Sequence, residues 1–410
     1  MQKGWKLYFR NTWMENPVLQ ERSHERNQMH IKITFLFLLG FVCLKLTGQE
    51  SSPIVIKQIK GRYWLAKPDG KLFFTHGITH ARNLKGQQEL NKFSKACKEV
   101  GFNAYGYGCP EGLRNDMPFV ESWNHLVPMS YYREKGAVRF VDIFDPKEQA
   151  KLISGIKFFC LRSRNNPNTI GYCWTDLGSW PLENPSGKNW VDYIRKLPKD
   201  SHGQMAYRKF LSSWKGETGK IQELAFLRLI AREYFRIVGT TQRKYTPDHL
   251  VFGERFAFNT LVPEVFEEML PYVDAIAIQP PFQSHFPKEK FEEIHKLSGK
   301  PILICDFAVR FLDGDKNISG WRPEPNSIAG GKAYAQYIKQ AFDTGYIVGS
   351  FWCNPLDSGR GFGNTGIKQG FFNNGVSPRP GLHQSVLELN KLIRTMTPTK
   401  EKWFLEYPLS

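Results

Sequence analysis

Short apolar runs alternate with helical stretches along almost the whole chain, and this alternation constrains the fold more than any other feature. The first run, Leu72–Ile78, follows a Pro68-Asp69-Gly70 turn, the punctuation expected ahead of a strand. Gln87–Val100 then sets Leu90, Phe93, Cys97 and Val100 at steps of three and four, one face of a helix. Phe102–Tyr107, Leu126–Tyr132 and Thr169–Thr175 read as strands two to four, with a helix over Pro146–Arg162 ahead of the fourth. A helix over Gln222–Val238 leads into strands at His249–Glu254, Ala275–Gln279, Pro301–Asp306 and Tyr346–Cys353. Helices over Pro263–Tyr272, Lys288–Leu297 and Gly331–Phe342 separate those strands, and His383–Met396 closes the series. Such an order predicts an α/β chain folded as a (β/α)8 TIM barrel. The period is lost from Gly178 to Gly216, which predicts a long insertion after strand four. An open doubly wound sheet is the competing fold; Thr75-His76-Gly77-Ile78 is not the glycine-rich phosphate turn such a sheet uses.

Residues 29–48 have the form of a signal peptide. A short basic head, Met29-His30-Ile31-Lys32, precedes an apolar core from Ile33 to Leu44, and Thr47-Gly48 offers small residues for cleavage before Gln49. The core falls short of the ~20 apolar residues that span a bilayer. The expectation is a secreted or periplasmic chain with no stable membrane insertion after cleavage; the alternative is a membrane anchor at residues 33–48. Residues 1–28 read as a polar extension or a mis-assigned start ahead of Met29, and residues 49–410 as a single catalytic barrel domain. The full chain carries a formal charge of +17. Residues 1–48 contribute a net +4, so +13 remains without them. A basic exported chain favours a polyanion such as a sulfated polysaccharide. Lys and Arg are spread evenly without a run of five, so nucleic acid is not the expected partner. Cys97, Cys109, Cys160, Cys173, Cys305 and Cys353 show no Cys-x-x-Cys spacing, and several lie inside apolar runs as small buried hydrophobes.

Barrel enzymes place their chemistry at the carboxyl ends of strands. The fourth and seventh strands end in acids, Asp176 and Asp306. A glycosidic bond is hydrolysed by one protonated carboxyl and one ionised carboxylate. Asp176, between Trp174 and Trp180, is read as the acid and Asp306 as the base or nucleophile. Glu254 is the reserve carboxylate, with pairing to Arg255 as its structural alternative. Arg255 is also a candidate for a sugar sulfate or carboxylate. His76, His80 and Gln279 are candidates for sugar hydroxyls, and Tyr105, Tyr107, Trp174, Trp180 and Trp352 for stacking on sugar faces. No cofactor and no metal are expected, although His76 and His80 raise a metal-dependent hydrolase as one alternative. The segment holding Trp190, Tyr193, His202 and Trp214 is a candidate lid or subsite wall.

Six stretches stand out in order: Gly61–Phe74 (G-R-Y-W-L-A-K-P-D-G-K-L-F-F), Gly101-Phe102-Asn103, Val141–Pro146 (V-D-I-F-D-P), Asn166-Pro167-Asn168 with Ile170-Gly171-Tyr172, Tyr207–Leu211 (Y-R-K-F-L) and Arg243–Leu250 (R-K-Y-T-P-D-H-L). They resemble the β-agarase group of glycoside hydrolases, in the barrel clan that also holds barrel β-galactosidases. The ordered set runs from about Gly61 to Asn390. The resemblance implies a barrel that cleaves a galactan of the agar, porphyran or carrageenan kind. It also exposes two departures. Where agarases of this type end strand four in Asp-Asn-Glu, with Glu as acid/base, this chain has Thr175-Asp176-Leu177; where strand seven ends in a nucleophilic Glu, it has Asp306. A carbohydrate-binding barrel with altered catalysis is therefore the second alternative.

Overall fold

The structure is a computed structural model that describes residues 53–123, 140–183, 187–312, 323–357 and 366–399. The signal-like stretch 29–48, the residues ahead of it and the expected strand 126–132 lie outside the described residues. Eight parallel strands close a barrel in the order β4 (Thr75–Ile78), β5 (Ala104–Tyr105), β6 (Phe119–Ser122), β7 (Thr169–Asp176), β8 (Leu250–Phe256), β9 (Ile276–Ile278), β10 (Ile302–Phe307) and β12 (Ile347–Trp352), which pairs back onto both β4 and β10; the short β11 (Phe311–Leu312) lies outside the barrel sheet. The third barrel strand is therefore Phe119–Ser122, ahead of the run the sequence suggested. Its apolar residues are Phe119 and Val120 alone, too short a run to stand out from the chain around it.

Before the barrel, β1 (Val55–Ile59) and β2 (Arg62–Ala66) form a hairpin through the two-residue turn Lys60-Gly61, both at positive φ (50° and 76°). That is the turn geometry whose twist suits adjoining antiparallel strands. Strand β3 (Leu72–Phe73) joins the hairpin antiparallel, so the expected first strand is split between this small sheet and β4. Tyr63 N–H donates to the Gly345 carbonyl just ahead of β12 (2.7 Å), which ties the sheet to the amino-terminal end of the barrel. Ile54, Leu65 and Phe73 join the same buried cluster as the barrel-interior residues Ala104, Ile170, Phe252, Leu303 and Val348. The interior is thus a packed core, as in barrels generally.

Helices α1 (Gly86–Glu99), α2 (Pro146–Ser163), α5 (Lys220–Tyr245), α6 (Pro263–Met269), α7 (Lys288–Ser298), α8 (Ser327–Asp343) and α9 (Pro380–Met396) supply the outer layer. Asp145 caps α2 by accepting from Lys147 N–H (2.9 Å), with Pro146 at the first helical position. The insertion after β7 is not structureless: it holds α3 (Trp190–Arg195) and α4 (His202–Ser213). Asp142 fastens it, accepting from Phe144 N–H (3.1 Å) and, across the chain, from Gly203 N–H (2.8 Å). All six cysteines named above are buried and free. Among the described residues no helix is long and apolar enough to cross a membrane.

Candidate active site

Irregular pairing decides which side chains reach the mouth. Residues alternate in and out along a regular strand, and a bulge inserts one residue and reverses the alternation beyond it. Between Val251 and Gly253, β8 gains a residue on β7, and Gly253 takes φ +71°. Phe252 faces the barrel interior, yet Glu254 then turns outward and Arg255 inward. Between Cys173 and Asp176, β7 gains a residue on β8. Between Ile304 and Phe307, β10 gains one on β12. Cys305 is interior and Phe307 stacks outward on Tyr337 of α8 (centroids 4.0 Å apart), so Asp306 is the inserted residue. Bulges beside strand ends are a recurrent means of aiming functional groups.

At the carboxyl end of the barrel, Asp306 Oδ2 accepts from the Tyr107 hydroxyl (2.5 Å) and lies 3.4 Å from His80 Nε2. Its other oxygen accepts from Thr79 Oγ1 (3.2 Å), and the Cys353 thiol adds a further hydrogen bond. Burial pushes the Asp306 carboxyl up, but His80, Tyr107 and Cys353 outweigh it and hold the group below the usual carboxylate value, hence ionised. Burial and the Asp306 charge push the Tyr107 phenol well above its ordinary value, so it remains a donor. The Tyr107 ring carries the Arg255 guanidinium on its face, 3.8 Å from the centroid. Arg255 also donates from Nε to the Trp174 carbonyl (3.3 Å) and sets one terminal nitrogen 3.7 Å from Asp176 Oδ1. Gln279 donates its amide to the same Asp176 oxygen. An unbroken series of contacts thus links the two aspartates: Asp176, Arg255, Tyr107, Asp306.

Asp176, Asp306, His80, Tyr107 and Gln279 stand together at the mouth. The other sequence candidates do not. His76 sits in the outer layer, with its ring nitrogens on Asn390 (2.6 Å) and Tyr334 (2.8 Å) of the last two helices. Burial lowers its pKa to about 4, so it is a neutral brace between barrel and helices. This corrects its expected sugar contact and removes the pairing with His80 on which a metal-dependent hydrolase was considered. Tyr105 donates to Asp116 (2.7 Å) and stacks on Phe93 of α1, Trp174 points at Gln242 of α5, Trp180 stacks on Trp190, and Trp352 packs on Tyr334 while donating to the Gln369 carbonyl (2.9 Å). These four aromatics are outer-layer packing, not a stacking platform. Glu254, the reserve carboxylate, is fully buried and accepts from Tyr234 of α5 (2.9 Å). Burial raises its pKa to about 8, against smaller opposing effects of Tyr234 and Arg255. Arg255 is fully buried on Tyr107 and therefore holds Asp176, not a sulfate in solution.

The sequence marked neither Thr79 nor Cys353 as a site residue: Thr79 carries no spacing signal, and Cys353, at the end of the expected run Tyr346–Cys353, was read only as a buried thiol. Backbone geometry marks their surroundings: His80, Leu177 and Asn354 have φ of 62°, 45° and 71° at three strand ends of the mouth. Each left-handed non-glycine residue costs about 1–2 kcal/mol, and such strain concentrates at functional sites. Among the described residues, His80, Asp306 and Cys353 form one group able to hold a metal ion. A separate cavity of about 550 Å³ opens beside the β2–β3 turn, lined by Lys67, Phe73, Asn103 and Arg394, with neither aspartate of the mouth in its lining.

The fold and the site define a (β/α)8 barrel with an acidic mouth, and solved structures of carbohydrate-degrading enzymes share that fold. The chain superposes on an exo-β-agarase with a TM-score of 0.69 at 16% identity, covering 84% of this chain and 66% of that one. On a second agarase the TM-score is 0.67 at 17% identity, over 85% of this chain and 64% of the other. In sequence the chain is β-agarase-like: it is 25% identical over 168 residues to β-agarase B of Vibrio sp. (strain JT0107). That match takes in 40% of this chain and 18% of the relative. No protein-family model matches.

Proposed function

We propose that this chain is a glycoside hydrolase acting on an agar-type galactan, with Asp306 as base or nucleophile and Asp176 as the opposing acid. The observation that carries the reading is the contact series from Asp176 through Arg255 and Tyr107 to Asp306. It sets two carboxylates from distant parts of the sequence at one mouth. Two-carboxylate hydrolysis needs one group ionised, and the hydrogen bonds from Tyr107, His80 and Cys353 favour that form at Asp306. The likeness to agarases supports the substrate class. Porphyran and carrageenan are sulfated galactans, and the net charge of +13 that remains without residues 1–48 favours such polyanions as partners.

Product analysis on agarose, porphyran and carrageenan oligosaccharides tests the proposal. Asp176→Asn and Asp306→Asn are each expected to cut turnover at least about a thousandfold while leaving the thermal midpoint within a few degrees. Turnover that survives both substitutions overturns the assignment. Leu177 favours a second reading, a barrel that binds galactan without cleaving it. Saturable calorimetric binding with no product from any oligosaccharide would establish that one. For location, we propose export directed by residues 29–48, with an anchor at 33–48 as the alternative; a mature amino terminus at Gln49 in the culture fluid is the expected result.

A further inference from the structure

Three donors of different chemistry converge at the mouth from adjacent strands of the barrel. His80 follows β4, Asp306 belongs to β10 and Cys353 follows β12, and these strands are neighbours. Their ligand atoms, an imidazole nitrogen, a carboxylate oxygen and a thiol sulfur, all lie within 4.8 Å of one another. We infer that the trio is a site for a zinc-class divalent cation, and that filling it withdraws Asp306 from the hydrolytic reaction. The second half rests on the reading of Asp306 given above; the first half stands on geometry alone.

A mixed nitrogen, sulfur and oxygen donor set suits borderline-soft ions such as Zn²⁺ and Co²⁺, whereas Mg²⁺ and Ca²⁺ take oxygen shells. Two ligands bonded to zinc at about 2.0–2.1 Å in tetrahedral array lie about 3.3–3.4 Å apart. His80 Nε2 and Asp306 Oδ2 are 3.4 Å apart without rearrangement. Asp306 is already oriented by Tyr107 and Thr79, and outer hydrogen bonds of this kind fix a ligating carboxylate. Three protein ligands leave the fourth position to water from the mouth, where His80 keeps 17% of its side chain exposed. On binding, the Cys353 thiol releases its proton to solvent and its hydrogen bond to Asp306 is replaced by bonds from both groups to the cation. An oxygen that donates its electron pair to a dication is a poor base and a poor nucleophile.

The test uses the full chain after chelator treatment, titrated with Zn²⁺ by calorimetry and with Co²⁺ by absorption. One equivalent is expected, with a thiolate-to-cobalt charge-transfer band. Cys353→Ser and His80→Gln are each expected to weaken binding at least about tenfold, with Cys353→Ala and circular dichroism controlling for misfolding. Hydrolysis of agarose oligosaccharides should fall in proportion to occupancy and return with chelator. No stoichiometric binding, or binding unchanged in both variants, overturns the site. Full turnover with the site filled overturns the switch. Cobalt binding with the charge-transfer band, in a protein that hydrolyses nothing even when metal-free, supports the site and removes the hydrolase reading instead.

Discussion

Tyr107 serves both aspartates at once: its ring supports the guanidinium beside Asp176 and its hydroxyl donates to Asp306. Tyr107→Phe keeps the first contact and removes the second. The expected result is a fall in kcat of about tenfold to a hundredfold with KM little changed, because the lost hydrogen bond acts on the reacting carboxylate. Tyr107→Ala should also loosen Arg255 and lower the thermal midpoint. Glu254 makes a different prediction. Its folded pKa of about 8 lies above the ordinary glutamate value. A raised pKa means that the folded state holds the proton more tightly, so its stabilising effect is complete below about pH 4.5. It declines by about 1.4 kcal/mol per pH unit as pH rises, and is spent above about pH 8. Denaturant midpoints of the wild type should therefore drop between pH 6 and 9 more steeply than those of Glu254→Gln. Equal slopes for the two proteins would contradict a proton held by Glu254.

At the scale of elements, the bulges set the site, and they account for what the sequence concealed. Long runs such as Thr169–Asp176 and Ile302–Phe307 were legible because both faces of a parallel strand are buried and the apolar residues are nearly continuous. Direction was not legible. Counting in twos from Phe252 sends Glu254 into the mouth and Arg255 out, and one inserted residue near Gly253 reverses both. Trp174, Trp352 and Tyr105 were drawn toward the mouth by nearness in sequence to strand ends, yet aromatic residues there also fill the space between barrel and helices. Asp176 and Asp306 were legible because a carboxylate that closes an apolar run adds nothing to the packing around it and is costly to bury without partners. Gly253 carries the one visible mark of a bulge. A Cβ at that position would lie 2.6 Å from Met269 Sδ and 2.8 Å from Val273 Cγ1, at a φ that side chains avoid. Gly253→Ala is expected to cost about 2–4 kcal/mol, combining left-handed strain with overpacking. It should also depress kcat, since Arg255 moves with the bulge; an unchanged midpoint in thermal denaturation would contradict this.

On the scale of the whole molecule, charge and closure shape how a polymer is met. A sulfated galactan, as the proposed substrate, would be attracted to a chain of sequence pI near 9.4 over a long range and with screening by salt. KM for such a substrate should rise several-fold between low salt and about 0.5 M NaCl, while KM for neutral agarose should stay nearly constant. Equal salt responses would assign recognition to the mouth alone. The small amino-terminal sheet has a further consequence. With Ile54, Leu65 and Phe73 plugging the floor, and side chains filling the lumen above them, the barrel is a cup and not a tube. A polysaccharide cannot thread along its axis: in the proposed hydrolysis, strand, water and severed ends would all come and go by the same rim, where the two aspartates stand.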